Sequence, residues 1–247
     1  MRVAVVFIGT NKYLNFLPSW YESCEEYLLP DCEKKYLVFT DGRLDSIPDN
    51  AVSYFQEHLK WPYITLYRFK TILKAEDQIS DCDYLIFLDA DMRLVDTVRS
   101  EDVLTDKPYL GVHHPCHFLG MTPHDKYPGA FETNSESLAA IPEDADMSTY
   151  WQGCLWGGKV PEVIDMIKEL DRRTTDDEFR GVIAQWHDES QMNKFFLENK
   201  LGRLQFFSTT QKSKKQSHFR VLTRFFKNRK MLMKQVQIKY KLELNSN

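Results

Sequence analysis

The sequence has no apolar stretch of the roughly 18 residues that a membrane span requires. Its first apolar run, Val3 to Ile8, is too short for the apolar segment of a secretion signal. Read on its own, the chain is expected to be cytoplasmic. Cysteines are few and scattered: Cys24, Cys32, Cys82, Cys116 and Cys154 are odd in number, with no close pair at zinc-ligand spacing. That pattern excludes a disulfide framework and a zinc knuckle, and implies reduced thiols. Internal repeats and low-complexity linkers are also missing.

What is present suits a folded body. A length of 247 residues with 43% hydrophobic and 13% aromatic residues is enough for one α/β domain or two small ones, and excludes disorder along the whole chain. The net charge of −4 hides an asymmetry. Residues 211–247 hold 11 Lys and Arg against one acidic residue, while residues 1–210 carry a net of −14. An acidic globular body is joined to a basic end, and the two need separate explanations.

Val3 to Ile8, Tyr36 to Thr40 and Tyr84 to Leu88 are short continuous apolar runs, as expected of strands covered on both faces. Between them, Leu17, Trp20, Tyr21, Cys24 and Tyr27, and then Leu66, Phe69, Leu73 and Ala75, have helical spacing. Strands alternating with helices predict an α/β fold, a mainly parallel sheet flanked by helices, with ligands beyond the carboxyl ends of the strands. The segments to watch are therefore Gly9-Thr10-Asn11, Thr40-Asp41-Gly42 and Asp89-Ala90-Asp91. Residues 105–200 read as more irregular, with turn-rich loops around 114–130, a dense stretch from Thr149 to Gly158, and helices over Val160 to Leu170 and Ser190 to Leu197.

Asp89 and Asp91 close an apolar strand, and residues two apart on an extended chain point to the same side. Two hard carboxylates aimed at the ligand edge suit Mn²⁺, with Mg²⁺ as the other possibility, and leave coordination positions open for phosphate oxygens. An isolated Asp-x-Asp is also a common acidic turn. Trp186-His187-Asp188-Glu189-Ser190 reads in turn as a helix start, with Asp188 as N-cap and Met192, Phe195 and Phe196 as the buried stripe. The helix N-terminus would hold Glu189 ionised near neutral pH. An ionised carboxylate facing an anomeric carbon can act as nucleophile or support an oxocarbenium-like transition state.

The stretches VVFIGTNKY, YLVFTD, WPYITLYRF, YLIFLDADM, GVHHP, AAIPE, YWQGCLWGG and WHDESQMNKFFL, in that order over residues 1–200, resemble the retaining α1,3-galactosyl- and N-acetylgalactosaminyltransferases that include the histo-blood-group A and B enzymes. The resemblance implies a GT-A-like fold in one catalytic domain. Residues 1–104 would form its UDP and metal half, and residues 105–200 its acceptor and catalytic half. Phe7, Ile8 and Tyr13 would line the uridine pocket, and Arg68 would approach the UDP next to the metal. Asp89 and Asp91 look like the metal ligands, with Asp89 also near the donor. Asp188 would hold donor-sugar hydroxyls, and Glu189 looks like the catalytic carboxylate. His114 and Trp186 fall where the family meets its acceptor sugar. The partners implied are a UDP-sugar donor and an oligosaccharide acceptor, with galactose or N-acetylgalactosamine moved onto a galactoside in α1,3 linkage. A covalent glycosyl-enzyme and a front-side displacement both remain open.

Gln152, Gly153 and Cys154 fall at the donor in the same comparison, and Gln152 and Cys154 look like its selectors. The cysteine's bulk favours unsubstituted galactose, whereas the glutamine could hydrogen-bond an acetamido group, so the donor stays undecided. Beyond Lys200 the resemblance stops, and residues 201–247 read as a divergent basic tail. Leu222, Phe225, Phe226, Met233 and Val236 roughly share a helical face flanked by Lys and Arg, which would suit an anionic membrane surface. Phosphate contact and a reading-frame shift near residue 200 are the alternatives, and no motif for specific nucleic-acid recognition is present. A catalytically impaired binder of UDP-sugar or glycan is the alternative function.

Overall fold

The computed structural model describes residues 1–44, 46–94, 97–103, 107–114, 130–199, 201–209 and 231–235, the last two segments as backbone. The strands are β1 (Arg2–Ile8), β2 (Glu33–Thr40), β3 (Ala51–Phe55), β4 (Tyr84–Leu88), β5 (Met92–Leu94), β6 (Tyr109–His113), β7 (Trp151–Lys159), β8 (Leu201–Thr209) and β9 (Met231–Gln235). The helices are α1 (Leu17–Tyr27), α2 (Tyr63–Leu66), α3 (Arg68–Leu73), α4 (Glu76–Ser80), α5 (Ser100–Val103), α6 (Glu162–Phe179) and α7 (His187–Glu198).

One sheet runs in the order β3-β2-β1-β4-β7-β6-β8-β9-β5. In its six-strand body, from β3 to β6, only β7 runs against the others. This is the α/β architecture expected of a GT-A-like domain. Val3 to Phe7 are all fully buried, which explains the unbroken apolar run: both faces of β1 are covered. On one face Val3, Val5 and Phe7 pack with Trp20 and Cys24 of α1. On the other, Ala4 and Val6 pack with Phe69 and Ile72 of α3, Ile164 and Ile167 of α6, and Met192 and Phe196 of α7.

Three local expectations differ from the structure. The dense stretch from Thr149 is a strand from Trp151, and its first eight residues are all buried, so neither alternation nor an exposed edge marks it in sequence. It threads between β4 and β6 so closely that a Cβ on Gly157 would lie 2.1 Å from the Leu85 carbonyl oxygen, which only glycine tolerates. The helix expected around Leu66 to Ala75 is broken at Tyr67, where α2 ends and α3 begins. α6 continues to Phe179, nine residues past the expected end, because Val163, Ile167, Leu170 and Thr174 keep one face buried.

β8 lies beside β6 in parallel, so residues 201–209 extend the sheet directly. Met233, expected on a helical face, lies instead in β9 and pairs with Leu94 of β5. Leu222, Phe225, Phe226 and Val236 lie outside the described residues, as do Cys116 and residues 115–129. Cys24, Cys32, Cys82 and Cys154 are free thiols. Among the described residues, no helix is long and apolar enough to cross a membrane.

Candidate functional site

The carboxyl end of β4 delivers Asp89, the start of α3 delivers Arg68, the first turn of α7 delivers Asp188 and Glu189, and β7 runs between them with Gly153. Arg68 is the centre of this group. Its guanidinium meets Asp89 Oδ1 at 3.1 Å and Asp188 Oδ2 at 2.9 Å, and donates to the Gly153 carbonyl at 2.8 Å. It also lies 4.5 Å from the centroid of the Phe87 ring, and the residue is only 9% exposed. The Gly153 N–H donates to Glu189 Oε2 at 2.6 Å, so a single peptide segment holds both the cation and the carboxylate. A Cβ on Gly153 would sit 3.2 Å from that Oε2 and 3.3 Å from Arg68 Nη1. Asp89 is tied to the same strand, its N–H donating to the Cys154 carbonyl at 2.9 Å, and its own carbonyl accepts the Met92 N–H to form the turn that carries Asp91.

Burial pushes the Glu189 carboxyl up to about 7. The hydrogen bonds from the Gly153 N–H and the Tyr150 hydroxyl and the charge of Arg68 act against this, and the neighbouring Asp188 adds to it. The expectation that the helix N-terminus keeps Glu189 fully ionised is therefore corrected: desolvation outweighs the helix end. Asp188 is also not an N-cap. The N-cap of α7 lies two residues earlier, at Trp186, with no side-chain cap, and Asp188 turns to Arg68 instead. Asp89 is likewise pushed up to about 7 by burial, opposed by Arg68 and reinforced by Asp91 and Asp188. Burial alone would lower the Arg68 pKa, but Asp188, Asp89 and Glu189 together raise it, so it stays a cation.

One guanidinium thus faces three carboxylates, and Asp91 makes a fourth negative group close to Asp89. This surplus of hard anionic oxygen is the donor chemistry a divalent cation fits. Among the described residues, no group of three or more His, Cys, Asp or Glu side chains is arranged to hold a metal ion by itself. Asp89 and Asp91 could supply two ligands, leaving the rest of the shell to phosphate and water oxygens.

The other expected residues divide into lining and support. Ile8 and Tyr13 keep partial exposure at the end of β1. Phe7 does not: its ring is fully buried edge-on to Trp20, 5.1 Å between centroids, so it backs the wall rather than lining it. Gln152 and Cys154 are buried on β7, and Cys154 joins the core beside Leu88 and Ala90. The His114 ring stands edge-on to Tyr150 at 5.7 Å, which links it to Glu189 through the Tyr150 hydroxyl. Trp186 is partly exposed, and its buried Nε1 has no hydrogen-bond partner among the described residues, an unused donor one turn from Glu189.

Several contributors had no assigned role in the sequence reading. His187 takes a left-handed backbone, φ 51°, at the start of α7, a conformation that costs a non-glycine residue about 1 kcal/mol and concentrates at functional sites. Its ring, held neutral by burial, stands edge-on to the exposed Trp61 at 4.9 Å. Tyr150 reads in sequence as core, and it is fully buried, yet its hydroxyl acts on Glu189. Asn193, one turn after Glu189 on the same face of α7, bonds to β7; the i, i+4 spacing was the available signal.

Comparison with known proteins adds a direct relationship. The model for glycosyltransferase family 6 matches residues 1–229, so the family relationship runs past Lys200, where the resemblance read from the motifs stops. An Escherichia coli O-antigen biosynthesis glycosyltransferase, WbnI, is 29% identical over 210 residues, covering 81% of this chain and 84% of that protein. The rat histo-blood group ABO system transferase 2 is 28% identical over 207 residues, 80% of this chain and 60% of its own length. The human globoside alpha-1,3-N-acetylgalactosaminyltransferase 1 is 26% identical over 219 residues, 83% and 59% respectively. The chain therefore spans about three fifths of these mammalian relatives.

Proposed function

Because the chain belongs to glycosyltransferase family 6, we propose that this glycosyltransferase moves galactose or N-acetylgalactosamine from a UDP donor onto a galactoside-type acceptor, in α1,3 linkage, with retention and with Mn²⁺ as the favoured metal. The observation that carries the reading is the cluster around Arg68, in which a partly buried carboxylate, Glu189, and the metal-type pair Asp89 and Asp91 belong to one polar centre at the end of the sheet. The name of the human globoside relative carries an alpha-1,3 linkage and N-acetylgalactosamine, which supports the reading.

In this reading Asp89 and Asp91 would hold a divalent cation, which would supply positive charge for the departing diphosphate. Arg68, kept charged by its carboxylate neighbours, lies beside them and adds positive potential where the phosphates gather. Asp188, fixed against Arg68 in the first turn of α7, takes the role of holding donor-sugar hydroxyls. Glu189 is oriented by the Gly153 N–H, and its anion stabilises positive charge developing at the anomeric carbon. The unused Trp186 Nε1 and the His114 side of Tyr150 face the acceptor role. Retention is the natural outcome of a carboxylate placed on the far side of the donor ring from the leaving group.

The test is UDP release by purified protein from UDP-Gal, UDP-GalNAc, UDP-Glc and UDP-GlcNAc, with Mn²⁺ or EDTA, with and without lactose-type acceptors. Product analysis by NMR follows. The reading expects Mn²⁺-dependent turnover of a galacto-configured donor and an α-linked product. A β-linked product, or undiminished turnover in EDTA, would overturn retention or metal dependence respectively.

A further inference from the structure

Asn193 is 1% exposed and uses its amide in three directions. Oδ1 accepts the Trp151 N–H at 2.8 Å, and Nδ2 donates to the Trp151 carbonyl at 2.8 Å and to the Glu189 carbonyl at 2.9 Å. The topology explains why such a side chain is needed. On one side Trp151 pairs with His113 of β6, but on the other β4 has already ended, its last pair being Leu88 with Leu155. The outward N–H and C=O of Trp151 would have no strand to bond, and a buried pair of unsatisfied backbone groups is costly. The carboxamide, with a donor and an acceptor side by side, takes the place of the missing strand residue.

Two residues further on, the pairing with β6 skips from Gln152 to Trp156, which leaves Gly153 outside that ladder. Its N–H is thereby available to Glu189 and its carbonyl to Arg68. A closed circuit results, from the Glu189 backbone through Asn193 to Trp151, along the strand to Gly153, and back to the Glu189 carboxylate. The sheet on its own does not set the distance between α7 and this irregular part of β7. Among the described residues, the side-chain amide bonded to both is that of Asn193.

We infer that Asn193 is a positioning residue for the reaction, fixing the Glu189 carboxylate against the Gly153 N–H by acting as a surrogate strand for Trp151. This rests on the reading of Glu189 as the catalytic carboxylate. Asn193 does not touch the sugar; it acts through the strand. Its loss should therefore lower turnover more than donor binding, because the metal-type pair Asp89 and Asp91 stands at the end of β4.

The experiment uses the full chain as Asn193→Ala and Asn193→Asp, with Glu189→Gln as reference, measuring thermal unfolding, KM for the UDP-sugar, kcat, and the pH profile of kcat/KM. Asn193→Asp keeps the size and one acceptor but loses both donations. Expected are folded variants with kcat lowered about 10- to 100-fold and KM changed less than about threefold. The acid limb should move to higher pH, as the Gly153 bond that favours the ionised carboxyl loosens. Wild-type kcat and an unmoved acid limb in a folded Asn193→Asp would overturn the inference, as would failure of both variants to fold, which would make the role global. Wild-type turnover by Glu189→Gln would instead sink the underlying assignment of Glu189, a separate and distinguishable result.

Discussion

Asp89 and Asp188 grip the same guanidinium, that of Arg68, from the end of β4 and the first turn of α7, at 3.1 and 2.9 Å. The Arg68 and Asp188 side chains are only 11% and 6% exposed, so removing the cation would leave the buried Asp188 carboxylate without its charge partner, while the Asp89 side chain keeps 29% exposure. Arg68→Ala is expected to destabilise the protein by about 3–5 kcal/mol, read by urea denaturation. Arg68→Lys should retain part of the stability but lose the forked geometry, and with it most of the activity. Equal stability of Arg68→Ala and wild type would mean that the cluster is not held as the structure shows.

Metal dependence should map to the two aspartates separately from Arg68. Asp91→Asn is expected to weaken Mn²⁺ binding at least tenfold by calorimetry in the presence of UDP, and to lower turnover accordingly, with little change in unfolding temperature. An undiminished Mn²⁺ affinity would remove Asp91 from the ligand set.

The raised pKa values have consequences of definite sign. For Glu189 and Asp89 the folded protein favours the protonated form, so their contribution to stability is fully present below the ordinary carboxylate range. It is lost as pH rises through about 7. Without divalent cation, stability should therefore fall between pH 5 and pH 8, each group contributing at most about 1.4 kcal/mol per pH unit. Glu189→Gln should flatten part of that slope in urea titrations at several pH values. Activity runs the opposite way: the working form of Glu189 is the anion, so kcat/KM should climb through about pH 7 and level off above it. A profile flat from pH 5 to 8 would contradict the assignment.

Two glycines on β7 should fail differently when given a methyl group. Gly157→Ala puts a carbon 2.1 Å from the Leu85 carbonyl oxygen, backbone that cannot yield, and should cost roughly 1–3 kcal/mol or more of stability by thermal unfolding. Gly153→Ala meets only the Glu189 carboxylate and the Arg68 guanidinium, at 3.2 and 3.3 Å. It should leave a folded protein whose turnover is reduced at least tenfold. Matching losses of stability in the two variants would show that Gly153 is architectural as well.

Legibility followed the type of signal each segment carries. Tyr84 to Leu88 could be read as a strand because a continuous apolar run of five residues suits only a covered strand, and the Asp-x-Asp at its end follows from position alone. β7 could not, because all of its residues from Trp151 to Gly158 are buried and three glycines, Gly153, Gly157 and Gly158, interrupt any periodicity. The break at Tyr67 was hidden for another reason: helical spacing continues across it, while the chain turns to set Arg68 at the head of α3. The Met192, Phe195 and Phe196 stripe was legible and is buried as expected.

The amino-acid sequence alone determined the alternation of covered strands and helices, the two aspartates at a strand end, and the acidic start of α7, because these depend on local periodicity and on residue type. Tertiary structure decided what those groups do to one another. It brought Arg68 between Asp89 and Asp188, opened β7 at Gly153, and buried Glu189 deeply enough that desolvation outweighs the helix end. Charge state and hydrogen-bond geometry depend on which distant segments exclude water from a group, and that is settled only when the chain has closed around it.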